Sequence, residues 1–185
     1  DPFWYHAGRE LFLAKRDGQT VGRIAAIVND NHNKHWNDNI GFFGFFECEN
    51  NPETAKALFD AAAAWLKEQG KTAMRGPLNP STNHTCGVLV DSFDSMPCIM
   101  MPYNPPYYDE IIKSAGLEKA KDLLAFDRTD KNDFSPRMQK IIQRILRNPE
   151  ITMRSINMND FDNEVKTVRE IYNAAWSQNY GFVPI

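Results

Sequence analysis

With 185 residues, 42% of them hydrophobic and 12% aromatic, the chain is long enough for one domain with a normal core, or one domain and part of a second. Its net charge of −3 and pI near 5.8 exclude the clustered basic surface of a nucleic-acid binder, and no apolar run approaches the ~20 residues of a membrane span. Three cysteines, Cys48, Cys86 and Cys98, form no CxxC pair, as expected of reduced thiols in a cytoplasmic protein. The chain opens at Asp1 without a methionine or a signal-peptide pattern, which fits a fragment of something longer.

In chain order, Leu11–Lys15 and Thr20–Val28 flank Asp17-Gly18, a strong signal for a tight β-hairpin turn. Residues 29–38 (NDNHNKHWND) read as a polar loop. Asn39–Cys48, with its IGFFGFFEC run, reads as a strand covered on both faces, and its Gly41 and Gly44 point to a close approach of other groups to the backbone. Asn51 and Pro52 open a helix as N-cap and first helical residue. Ala55, Leu58, Phe59, Ala62, Trp65 and Leu66 recur along it at helical spacing, and Gly70 stops it. Residues 71–76 suit a short fourth strand, 107–115 a helix ending at Gly116, and 121–127 a further strand.

Ser135-Pro136 starts another capped helix. It has an apolar face (Met138, Ile141, Ile142, Ile145, Leu146) and a basic one (Arg137, Lys140, Arg144, Arg147), the latter read first as a solvated surface. Residues 151–156 read as a strand and 160–176 as an amphipathic helix. Strands and helices alternate too little for a doubly wound fold. The expected class is α+β, a mixed and mostly antiparallel central sheet flanked by helices.

The stretch Met74–Tyr108 (MRGPLNPSTNHTCGVLVDSFDSMPCIMMPYNPPYY) holds six of the eleven prolines. That density excludes a regular helix, because each ring removes an N–H and fixes φ. Loops of this length in a compact domain are usually functional or disordered. Its Val88, Leu89, Val90, Phe93, Ile99, Met100, Met101, Tyr103, Tyr107 and Tyr108 predict an ordered loop that buries apolar surface, the wall of a binding site.

The hairpin, the Phe-rich strand running into a long helix, and the strand, helix and strand ending in SAGLEKAKDLLAF resemble the GNAT acyltransferase superfamily. The phrase GPLNPSTN…GVLVDSFD…MMPYNPPYY is similar to one in bacterial two-domain GNAT-like proteins. The resemblance covers about residues 9–127. Residues 151–185 resemble the start of a second copy or complete the first, with 131–150 as a connecting helix and 1–130 as a first domain lacking its opening strand and helices. Such a fold implies acyl transfer from a thioester, acyl-CoA or an acyl carrier, to an amine. It also implies that Gly41, Phe43, Gly44 and Phe45 offer free backbone groups to the pantetheine arm and that the next helix receives the diphosphate.

Two positions depart from that pattern. Where the superfamily has a basic, glycine-rich phosphate turn, this chain has Glu49-Asn50-Asn51-Pro52-Glu53-Thr54, in which Pro52 removes a donor and the glutamates oppose an anion. Where it often has a general-acid tyrosine, this chain has Ile112, with Tyr107 and Tyr108 about one turn earlier.

Acylating an amine needs a base for the ammonium proton and donors for an oxyanion. Glu47 is the expected base, desolvated by flanking Phe residues; it reads equally well as an exposed strand-end carboxylate. Tyr107 or Tyr108 is the expected acid, with aromatic packing as the plain alternative, and His84 is a second base candidate. Asn79, Ser81, Thr82, Asn83 and Asn104 offer neutral polar groups to a substrate or cap their own loop. Met96, Ile99, Met100 and Met101 suit a longer acyl chain than acetyl, and Tyr103 is a further candidate substrate-binding residue. His32 and His35 lack partners at ligand spacing, so no metal site is expected, and Cys86 has no His at a recognised nucleophile spacing.

The expected function is an N-acyltransferase acting on a small-molecule or lipid-like primary amine, of sphingoid type for example, with a second GNAT-like domain elsewhere in the full-length chain. The alternative is a catalytically silent, ligand-binding or docking half.

Overall fold

In the computed structural model, which describes residues 2–126 and 134–185, a short 3-10 turn at Pro2–Tyr5 leads into the β-hairpin. Strands β1 (Ala7–Arg16) and β2 (Gln19–Asn29) pair antiparallel around Asp17 and Gly18, both at positive φ as the turn demands. Strand β3 (Ile40–Cys48) pairs antiparallel with β2, and β4 (Ala73–Arg75) joins β3 in parallel over Ile40–Phe42. The sheet order is β1-β2-β3-β4, mostly antiparallel and flanked by helices, so the fold class is α+β.

Helix α2 (Pro52–Glu68) starts as its sequence predicts. The Asn51 side chain accepts from the N–H groups of Glu53 and Thr54, and Pro52 occupies the first turn. Its Ala55, Leu58, Phe59, Ala62 and Leu66 pack with Ile24, Ala26, Phe43, Phe46 and Cys48 on one face of the sheet, and α3 (Tyr108–Ser114) adds Tyr108 and Ile111 to this main core. The opposite face carries a smaller cluster of Phe3, Ala25, Ile27 and Phe42.

The expected polar loop at 29–38 is instead helix α1 (Asp30–Trp36). Asn29 caps it by accepting from His32 N–H, and Asn37 ends it in the left-handed region at φ 50. Only one of its residues, His32, is fully buried, so no apolar period marks it in the sequence. The strand expected at 121–127 is absent over residues 121–126, and position 127 lies outside the described residues. The strand expected at 151–156 is likewise irregular. Neither segment has a paired neighbour among the described residues, and a strand exists only through one.

The loop after β4 forms two-residue strands β5 (Leu78–Asn79) and β6 (Thr85–Cys86), paired antiparallel. Its apolar residues are gathered inside only in part: Val88 and Tyr107 pack against the main core, and Leu89 and Phe93 are half-buried. Tyr108 is buried, but Met96 and Ile99 are 92% and 95% exposed, and Val90, Met100, Met101 and Tyr103 are exposed as well. Prolines at 97, 102, 105 and 106 hold this part of the chain out in turns and extended backbone.

The chain falls into two compact units, one formed by the residues up to Asp122 together with Ala175–Ile185, the other by Leu123–Ala174. In the first, the terminal segment docks by named bonds: His35 Nε2–H donates to Ser177 O at 3.0 Å, Trp36 Nε1–H to Phe182 O at 2.8 Å, Thr82 Oγ1–H to Gly181 O at 2.5 Å and Asn83 Nδ2–H to Val183 O at 3.2 Å. Phe182 and Val183 are buried there. The second unit contains α4 (Pro136–Leu146), capped by Ser135 as expected, and most of α5 (Phe161–Trp176). Among the described residues no helix is long and apolar enough to cross a membrane.

Candidate functional site

The site begins with an irregularity in β3. An uninterrupted strand alternates its side chains between two faces, so Phe43 and Phe46, three apart, should face opposite ways. Both lie in the core beneath α2, with Cys48. The reason is a bulge. Ala25 pairs with Gly44 and Arg23 with Glu47, so Phe45 and Phe46 together oppose the single residue Ile24. Phe45 takes the extra place at φ 50, a region bulky residues seldom enter.

Beyond Phe42, where β4 leaves, the free edge of β3 is finished by side chains and loop rather than by another strand. Asn79 Oδ1 accepts from Phe45 N–H at 2.6 Å. The carbonyl of Leu78 lies directly over Gly44, where a Cβ would stand 1.7 Å from it, and a Cβ on Gly76 would stand 2.3 Å from Phe43 O. Tyr108 Oη accepts from Cys48 N–H at 3.2 Å, and Tyr107 Oη–H donates to Cys48 O at 2.9 Å. The close approach expected at Gly41 and Gly44 is therefore real. What approaches is Leu66 of α2 at the first and Leu78 at the second.

These contacts gather Glu47, Tyr107 and Tyr108 at one place. Tyr108 Oη–H donates to Glu47 Oε2 at 2.7 Å, and Arg23 Nη2 stands 3.8 Å from Glu47 Oε1. The groove they line, about 330 Å3 in volume, runs between residues 20–23 of β2, residues 47–49, and Pro105, Tyr107 and Tyr108. Burial pushes the Tyr108 hydroxyl well above the usual phenol range, and its bond to the Glu47 carboxylate adds to the effect. Burial, then the neighbouring Cys48, Glu47 and Glu49, pushes Tyr107 up too. Both phenols are thus neutral proton donors at physiological pH. The Glu47 side chain is 60% exposed, so the expected desolvation by its Phe neighbours does not occur; the bulge turns Phe46 to the core side and Glu47 to the other.

At the start of α2 the chain satisfies its own donors. Glu49 Oε1 accepts from Thr54 Oγ1 at 2.8 Å and from Arg16 Nη1 at 2.5 Å, while Asn51 takes the first helical N–H groups. A carboxylate already sits where a diphosphate would need to be, and the residues present do not fit one.

The other predicted residues are placed elsewhere. His84 Nδ1 lies 2.9 Å from Ser81 Oγ within one turn, 6.1 Å ring to ring from Phe3, and is not brought to Glu47. Ser81 is buried and also accepts from Asn83 N–H. Thr82 and Asn83 hold the terminal segment, and Asn104 ties Leu89 N–H and O to Pro105 O. Met100, Met101 and Tyr103 are on the surface. Cys86 is half-buried and its thiol is pushed up by burial.

His32 is buried against Phe42 and bonded to Asp38, and His35 donates to Ser177 O. Among the described residues no group of three or more His, Cys, Asp or Glu could hold a metal ion. Sequence reasoning missed Arg23, Arg16 and Thr54. Arg23 pairs across the strands with Glu47, a register that the Asp17-Gly18 turn and the bulge set jointly.

Among curated proteins, the chain is 39% identical over 177 residues to Protein YghO of Escherichia coli (strain K12), a match covering 95% of this chain and 45% of that protein. It is 37% identical over 185 residues to Bacterial ceramide synthase of Caulobacter vibrioides (strain NA1000 / CB15N), covering 100% of this chain and 48% of that protein. The chain thus spans about half the length of the curated relatives it matches. No protein-family model matches the chain, and no solved structure matches it.

Proposed function

We propose that this chain is the acceptor-side half of a GNAT-type N-acyltransferase, joining an acyl group from a thioester to the primary amine of a lipid-like, sphingoid-type substrate. The observation that carries the reading is the Tyr108–Glu47 hydrogen bond of 2.7 Å at the open groove. The match to a protein named Bacterial ceramide synthase supports the class of product, since a ceramide is the amide of a sphingoid amine.

In this mechanism the amine nitrogen attacks the thioester carbonyl, a C–N bond forms and the C–S bond breaks. Glu47 takes the proton released from nitrogen, Tyr108 gives its hydroxyl proton to the departing sulfur, and Glu47 returns a proton to Tyr108. The products are an amide and a thiol, with both side chains restored. Arg23 stands 3.8 Å from Glu47 Oε1 and flanks the base while leaving it open to the groove.

The donor, acyl-CoA or an acyl carrier, would be a cosubstrate whose phosphates are held elsewhere than at α2, because Glu49 and Asn51 occupy that helix start. The same observation favours the second reading, a half that binds ligand or docks a second GNAT-like domain without reacting. Of residues 151–185, Ala175–Ile185 alone groups with the first unit, which supports that terminal stretch completing this copy.

The test is amide formation by the intact protein from acyl thioesters and a sphingoid amine, followed by mass spectrometry. Glu47→Gln and Tyr108→Phe should each lower kcat by about 10²-fold or more, the range for loss of a proton-transfer group. Unchanged turnover in Glu47→Gln would leave the silent-half reading standing.

A further inference from the structure

We infer that Asn79 is a positioning residue that decides which face of β3 carries Glu47. The inference rests on the proposed role of Glu47 as base and deepens it.

The two faces of β3 differ sharply. One is the core beneath α2, where Phe43, Phe46 and Cys48 lie; the other carries Gly44 and Glu47. Were Phe45 paired in regular alternation rather than bulged, everything after Gly44 would reverse, driving the Glu47 carboxylate under α2 among Leu58 and Phe59 and turning Phe46 out. An unpaired carboxylate there would be strongly disfavoured. The observed arrangement needs Phe45 to hold φ 50, a conformation that persists only where surrounding structure enforces it.

The enforcing contact is the 2.6 Å bond from Phe45 N–H to Asn79 Oδ1. With β4 ending at Arg75, the sheet has no strand to take that N–H. Asn79 in turn is fixed by β5–β6 pairing, by Gly87 N–H donating to Pro77 O at 2.9 Å, and by Leu78 O seated on Gly44. A side chain 34 residues away in sequence thereby aims Glu47 at Tyr108 and Arg23. The same bond explains the amide at this position. Its acceptor oxygen is the part of the side chain that the bulge uses.

The experiment compares Asn79→Leu, which removes the acceptor at similar size, with Asn79→Asp, which retains an acceptor oxygen, in the intact protein. Amide hydrogen exchange at Phe45 reads the bulge directly, without turnover. It should rise at least about tenfold in Asn79→Leu, relative to amides of β2, and stay near wild type in Asn79→Asp. If amine acylation is active, kcat should fall about 10²-fold in Asn79→Leu, as for a catalytic group misplaced by about 1 Å. KM should change little, the acid limb of the pH profile should move, and Asn79→Asp should restore most of the rate. Should the leucine variant not fold, Asn79→Ala asks the same question without the added bulk. Wild-type exchange at Phe45 in a folded Asn79→Leu or Asn79→Ala protein overturns the inference. A wild-type protein that acylates nothing overturns the proposed function alone, because the exchange result still decides the role of Asn79.

Discussion

At the scale of single residues, burial separates groups that look alike in the sequence. Cys48, at the end of the strand that presents Glu47, is buried and pushed up to about 11, first by burial and then by Glu49, so it is a packing thiol rather than a nucleophile at neutral pH. His32 is held below its ordinary value of 6.5 by burial, which outweighs the nearby Asp38. A histidine lowered in the folded state contributes stability that is complete above its unfolded value and lost as pH falls toward the folded one. The urea midpoint should therefore be flat above about pH 6.5 and decline below it. In His32→Gln, which keeps a donor but does not titrate, that decline should be shallower; equal slopes in the two proteins would remove His32 from the account. Glu47 and Tyr108 were each legible as candidates from residue type and neighbourhood. Their bond was not, because it joins positions 61 apart through a bulge that leaves no compositional trace.

At the scale of elements, two glycines of β3 give a ranked prediction. A Cβ on Gly41 would meet the side chain of Leu66 first, at 2.4 Å, and a side chain can give where backbone cannot. A Cβ on Gly44 would meet the backbone carbonyl of Leu78 at 1.7 Å, which cannot. Gly44→Ala should cost about 3 kcal/mol, the upper end for over-packing, and Gly41→Ala about 1 kcal/mol, both measured by chemical denaturation. An inverted order would contradict the seating of Leu78. The elements legible in the sequence, the hairpin, β3, α2 and α4, carry their own signals in turn residues, caps and periodicity. Those misread do not. Helix α1 is polar up to Trp36 and is announced only by its caps, Asn29 and Asn37. The segments 121–126 and 151–156 have strand-like composition, and composition does not supply a partner. The loop from 74 to 108 is legible in the sequence as ordered and unusual, but not as the piece that closes the edge of β3, since that work is done by one asparagine, two tyrosines and two glycines.

At the scale of the whole molecule, the larger unit is closed by its last residues. Phe182 is buried and ring-to-ring with His35 at 5.4 Å, while Tyr180 has Arg75 at 5.1 Å and Lys121 at 5.9 Å from its ring centroid. Phe182→Ala should lower stability by about 3–4 kcal/mol, as for a buried Phe reduced to Ala. It should also increase hydrogen exchange in the Ser81–His84 turn more than in the β1–β2 hairpin. Equal changes in both would show that the segment stabilises the unit without holding that turn. The hairpin and α2 are built from neighbours in sequence and can form early. The Thr82 and Asn83 side chains, by contrast, bond to carbonyls 99 and 100 residues further on. On a ribosome, the turn beside Asn79 must wait until those residues have been made before it is anchored. That anchoring therefore comes only after synthesis has moved far past every residue that lines the groove.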